Sequence, residues 1–225
     1  MPQFDTPTQV SAVIDVPAGH IRFIAADRTD TTVEILPADP SKSRDVKAAE
    51  QVTVAYDGGV LRIEAAAPAK NRVLGASSGA VEVTVQLPAG SSVDGKTAAA
   101  EIRGVGRLGD VTFDNAQGSV KLDEAASARL TVLAGDVSLG RLGGPAQIST
   151  QKGDIRIAEA MRGTVTLRTE QGEISVTAAR GVSAALDAGT AYGRISNTLR
   201  NTDGADAGLT IHATTSYGDI SARSL

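Results

Sequence analysis

Three phrases decide the fold: Gly135-Asp-Val-Ser-Leu139, Gly153-Asp-Ile-Arg-Ile157 and Gly172-Glu-Ile-Ser-Val176. Glycine, polar, β-branched, polar, apolar returns at intervals of 18 and 19 residues. Working outward, Gly118-Ser-Val-Lys-Leu122 stands 17 residues before the first phrase. Gly193-Arg-Ile-Ser-Asn197 and Gly218-Asp-Ile-Ser-Ala222 follow at 21 and 25, their last position losing its apolar character. Gly109-Asp-Val-Thr-Phe113 reads as a related copy closer in, and Gly19-His-Ile-Arg-Phe23 as an early echo. Self-similarity at this period marks a repeat architecture.

A second alternating segment precedes each glycine. Leu130, Ile148 and Leu167 each lie five residues upstream of one, whereas Leu186 and Ile211 lie seven upstream, which reads as a two-residue insertion. Each coil is therefore strand, glycine turn, strand, turn. Side chains alternate between the faces of a strand, so Val137, Leu139, Ile155, Ile157, Ile174 and Val176 are expected inside, with Ser138, Arg156 and Ser175 outside. One coil cannot bury its apolar face alone, but a stack with strands about 4.8 Å apart can. The fold class that follows is all-β, a single-stranded β-solenoid (β-helix) of stacked strand–Gly–strand coils. Gly118, Gly135, Gly153, Gly172, Gly193 and Gly218 are its structural turn residues, placed where a tight corner favours positive φ.

The earlier chain is less regular. Val52-Thr-Val-Ala-Tyr56, Asp57-Gly58-Gly59 and Val60-Leu-Arg-Ile63 predict a hairpin with a glycine turn, and Val81–Leu87 an alternating strand stopped by Pro88. Residues 42–50 suit a brief helix or polar loop, and residues 65–79 a long mobile connection. We read residues 1–225 as one β-solenoid domain, with an irregular β region over 1–92 and regular coils over 93–225.

Composition excludes several functions. The net charge of -4 does not provide the broad basic surface that nucleic acid needs. With no Cys there is no disulfide framework, thiol nucleophile or thiolate metal site. No Trp, three Tyr and three Phe make a poor surface for sugars or bases. The N-terminus lacks a basic and then apolar leader pattern, and no apolar run approaches the roughly 20 residues that span a bilayer. We expect a cytoplasmic protein without direct membrane insertion.

Candidate sites are few. Asp110, Asp136, Asp154, Glu173 and Asp219 follow glycines, and a column of carboxylates invites Ca²⁺. Ser119 and Arg194 interrupt it, and the nine-residue calcium repeat is absent, so we favour backbone-capping turn residues and expect no metal. Tyr192 and Tyr217 precede successive corner glycines and, with Gln171 and Lys152, form the best small-ligand binding strip, although a structural aromatic ladder, which needs no ligand, is the favoured reading. His20 and His212, the two histidines, lack convergent partners. We assign no catalytic residue, no cofactor site and no enzymatic activity.

The succession of Thr-x-x-Gly-Asp-Ile/Val coils, the phrase Leu87-Pro-Ala-Gly90 and the closing Thr215-Ser-Tyr-Gly-Asp-Ile220 resemble the bacterial toast-rack family, whose members carry the name putative adhesin. Phe4-Asp-Thr-Pro7 and Ala26-Asp-Arg-Thr-Asp30 resemble its cytosolic actinobacterial branch. The resemblance implies a β-solenoid and a link to membrane-stress signalling; it brings no catalytic residues. A non-enzymatic scaffold for a protein partner, or for copies of itself, is the function expected. A surface adhesin is the alternative, and a carbohydrate-active β-helix enzyme comes third.

Overall fold

The computed structural model describes residues 2–65 and 79–225, so most of the connection expected over 65–79 lies outside the described residues. In chain order the strands are β1 (Gln3–Asp5), β2 (Ser11–Asp15), β3 (Ala18–Ala26), β4 (Asp30–Pro37), β5 (Val52–Asp57), β6 (Val60–Ala65), β7 (Val81–Pro88) and β8 (Ser92–Gln117). They continue as β9 (Val120–Ala134), β10 (Val137–Leu142), β11 (Ala146–Lys152), β12 (Ile155–Ala160), β13 (Gly163–Gln171) and β14 (Ile174–Ala178). The last four are β15 (Ala184–Tyr192), β16 (Ile195–Thr198), β17 (Leu209–Tyr217) and β18 (Ile220–Ser224). Helix α1 (Ser43–Glu50) fills the position read as a helix or loop.

The 18 strands of the described residues join one hydrogen-bonded network, an all-β solenoid with two faces. Strands after a corner glycine stack in parallel as β9, β10, β12, β14 and β18, with Val120, Val137, Ile155, Ile174 and Ile220 in register. Strands before the glycine stack as β9, β11, β13 and β17. Val137, Leu139, Ile155, Ile157, Ile174 and Val176 are each at most 2% exposed, so the inward set read from period two is the core. Residues 57–60 form the expected hairpin turn, with Gly58 and Gly59 both at positive φ, the conformation that matches strand twist.

Three details differ from the sequence reading. First, the repeats do not stack in chain order, so the chain-terminal coil is not the end of the stack. β17 lies between β13 and β15, and β18 between β14 and β16. The chain first lays down β15 and β16, then returns and inserts its last coil beneath them. Second, the two-residue insertion is a shift of partner. Ile211 pairs with Val165 and Leu186 with Ile211, while Ala213 and Ala188 take the Leu167 position. Small alanines hold that column at the top, which hid the register. Third, Gly109–Phe113 belongs to the face before the glycine, since Val111 pairs with Ala128 and Phe113 with Leu130. The true earlier copy is Ala100-Glu-Ile-Arg-Gly104, with Ile102 beside Val120 and alanine in the glycine position.

The two ends differ. At the N-terminal end the ladder turns antiparallel (β1 on β4, β4 on β7, β5 on β6), and α1 packs on β4 and β7. Phe4 of β1 and Tyr56 of β5 meet there at 5.3 Å between ring centroids, joining the two faces across the end of the core. At the other end the inward positions of β15 and β16 are half open: Leu186 and Ala188 are partly buried and Ile195 is 46% exposed.

Candidate functional site

The corner is assembled by two side chains on either side of its glycine. Thr169, Thr215 and Thr190 each stand three residues before a glycine and donate a hydroxyl to the carbonyl of the glycine one coil below: Gly153, Gly172 and Gly218, at 3.0–3.1 Å. After the glycine, Asp136 accepts the Asp154 N–H at 2.9 Å, Asp154 the Glu173 N–H at 2.7 Å and Asp219 the Arg194 N–H at 2.8 Å. The carboxylates thus cap the next coil's backbone rather than their own turn. Arg194, through its N–H and then its guanidinium, holds the Asp219 carboxyl below its usual range. Asp110 lies at the other corner and accepts the Ser127 hydroxyl at 2.6 Å.

The glycines leave no room for a side chain. A Cβ at Gly153 would collide with the Gly135 carbonyl, and one at Gly218 with the Gly172 carbonyl. Gly153 and Gly218 have φ near +146° and +148°. Gly193 lies outside the positive-φ set, so close approach to the Gly218 carbonyl, not conformation, fixes its identity.

Outside this corner the ladder pairs Lys152 with Gln171, Gln171 with Tyr217 and Tyr217 with Tyr192. All four residues of the expected strip are therefore brought into one column, in the spatial order 152, 171, 217, 192. Tyr217 and Tyr192 stack at 4.9 Å with ring planes 4° apart, and are 56% and 67% exposed. The column offers polar groups at one end and a stacked aromatic pair at the other.

The opposite corner holds a feature the sequence reading missed. A groove of about 1280 Å³ runs along several coils, and its lining includes Gly143, Gly144 and Gly163 together with Arg107, Glu124 and Arg162. The clue was Gly143-Gly144-Pro145, a stretch without bulk at a corner that repeats. The histidines acquire one carboxylate each: His20 lies 3.3 Å from Glu101 and His212 3.2 Å from Asp187. Among the described residues no group of three or more His, Asp or Glu side chains is placed to hold a metal, and no helix is long and apolar enough to cross a membrane.

The fold and its clamped corner define a class, the β-solenoid repeat modules. The Toastrack DUF4097 family model matches residues 11–224, and the chain belongs to that family. A putative adhesin from Bacteroides fragilis shares the fold with a TM-score of 0.59 at 15% identity, over 98% of this chain and 95% of that one. A putative adhesin from Parabacteroides distasonis aligns with a TM-score of 0.43 at 15% identity, over 100% and 96% of the two chains. A putative lipid binding protein from the same organism aligns at 0.49 and 11% identity, over 98% and 95%. No curated protein matches the chain significantly.

Proposed function

We propose that the chain is a non-enzymatic β-repeat scaffold that holds a protein partner through Lys152, Gln171, Tyr217 and Tyr192. The observation that carries this reading is the parallel tyrosine pair, two large rings more than half exposed and already fixed against each other. Tyrosine is enriched in the centres of protein interfaces. A side chain ordered before binding loses little entropy on association. Lys152 and Gln171 supply the polar continuation of the same column.

The test compares proteins captured from the source cells by the wild type and by a Tyr192→Ser, Tyr217→Ser double variant of unchanged circular dichroism. A partner held by the wild type, reconstituted with purified components and lost with the variant, supports the strip. Equal capture by both overturns it. Adhesion is the second reading, favoured by the name of the Bacteroides fragilis structure. Cell fractionation separates the two: a cytoplasmic chain fits the scaffold and its link to membrane-stress signalling, and a surface-exposed chain fits adhesion.

A further inference from the structure

We propose that two copies of the chain join end to end through the open coil β15–β16, with β15 pairing antiparallel to the β15 of the second copy about Ala188. This surface adjoins the tyrosine strip, because Tyr192 ends β15, but its register is tested at Gly189 and Ala188, which lie outside the strip, so failure of one proposal is distinguishable from failure of the other.

The first argument is the direction of backbone groups. The Ser183 carbonyl accepts the Leu209 N–H, whereas the Ala184 N–H turns the other way and donates to the Arg200 carbonyl. In a parallel ladder these directions alternate residue by residue. The N–H and C=O groups of Leu186, Ala188 and Thr190 therefore point out of the stack. The window is closed on both sides: the Ala184 N–H is occupied by Arg200, and past Thr190 the ladder skips Ala191, so the alternation breaks and the Tyr192 carbonyl turns inward to accept the Gly218 N–H. Three outward residues remain, and Ala188 is their centre.

An antiparallel partner with the same strand completes this window. Ala188 faces the second copy's Ala188, and Leu186 faces its Thr190, each pair able to exchange both N–H···O bonds. Between them Asp187 faces the second copy's Gly189, so no like charges are opposed. The strand is self-complementary at this register. An unpaired edge of this kind is a template for another strand.

The second argument is the open core. Leu186, Ala188 and Ile195 occupy columns whose members deeper in the stack are fully buried: Val165 and Leu167 at 0%, and Ile220 at 1%. A second copy placed end to end brings an identical half-open interior against this one. The third argument selects the symmetry. The N-terminal end is turned antiparallel and bridged by Phe4 and Tyr56, so it does not present the parallel edge that a head-to-tail filament requires. A two-fold contact that closes is what remains.

Gly189 gives a test specific to this register. A Cβ there meets nothing within 4 Å and the backbone is not at positive φ, so the monomer accepts a side chain. Gly189→Asp sets two carboxylate pairs against each other across the dimer, and Gly189→Lys sets two opposite-charge pairs. Sedimentation equilibrium across a concentration series should show the wild-type dimer. Its Kd should rise about tenfold for Gly189→Asp and fall about tenfold for Gly189→Lys, the effect of two cross-strand pairs. Ala188→Pro, which removes an outward N–H that an edge strand does not need, should give a folded monomer. A wild type monomeric at every concentration overturns the proposal. So does a dimer insensitive to all three variants, or growth into filaments.

Discussion

At the scale of single residues, the Thr-x-x-Gly-Asp phrase is a clamp between coils. Its logic is tested where the clamp lacks a member. Thr150 occupies the same position as Thr169, but its buried hydroxyl has no hydrogen-bond partner among the described residues. One coil below, Val132 fills the position, and earlier still Asn115 reaches the Ala100 and Gly118 carbonyls and accepts the Thr97 hydroxyl at 2.8 Å. Thr169→Val removes a made bond and leaves the Gly153 carbonyl short of a donor, so it should cost about 1–2 kcal/mol. Thr150→Val removes an unmade one and should be neutral or stabilising. Urea denaturation of both variants measures the difference, and equal losses would show that the hydroxyl column is incidental. The motif itself was legible in the sequence, but its chemistry was not. Periodicity reports which residues recur, whereas the Thr–Gly and Asp–N–H bonds join residues 16 to 43 positions apart.

At the scale of elements, the order of the last two coils departs from chain order. The spacing carried a trace of it, since the intervals lengthen to 21 and 25 just where the chain crosses over. Both copies keep the Gly-polar-Ile-Ser core of the phrase, however, and period two is blind to which coil lies above the other. What distinguishes them is the depth of apolar character: Ile220 and Ile211 are at most 1% exposed, while all of β16 is exposed. This predicts an inversion in amide hydrogen exchange. Segments open locally according to their buried contacts and hydrogen bonding, not their position in the chain. The amides of β18, the five-residue strand that comes last in the chain, should therefore exchange more slowly than those of β16. The measurement is made at low protein concentration, where copies are apart. Faster exchange in β18 than in β16 would return the final coil to the end of the stack.

At the scale of the whole molecule, stability comes from an unbroken apolar column, each layer covering the next. The sequence showed this directly, because the inward residues of a parallel stack are nearly all aliphatic; it could not show that the column is bridged at one end and open at the other. The antiparallel strands, α1 and the Phe4–Tyr56 contact that make this asymmetry come from distant, non-repeating segments. The asymmetry has an energetic consequence that one substitution, made at two heights, exposes. Ile155 and Ile195 occupy the same column, separated by Ile174 and Ile220, yet they are 0% and 46% exposed. Ile155→Asp places an unpaired carboxylate where no water reaches, at about 3–5 kcal/mol, a large part of the 5–15 kcal/mol typical of a whole domain. Each coil contacts its neighbours, so the loss spreads to those above and below and lowers the main unfolding transition. Ile195→Asp keeps its carboxylate hydrated at the open end and should cost about 1 kcal/mol or less. Calorimetry on both variants at low concentration decides the matter. A deep loss at Ile195, equal to that at Ile155, would mean that the upper end is sealed in solution even in the monomer.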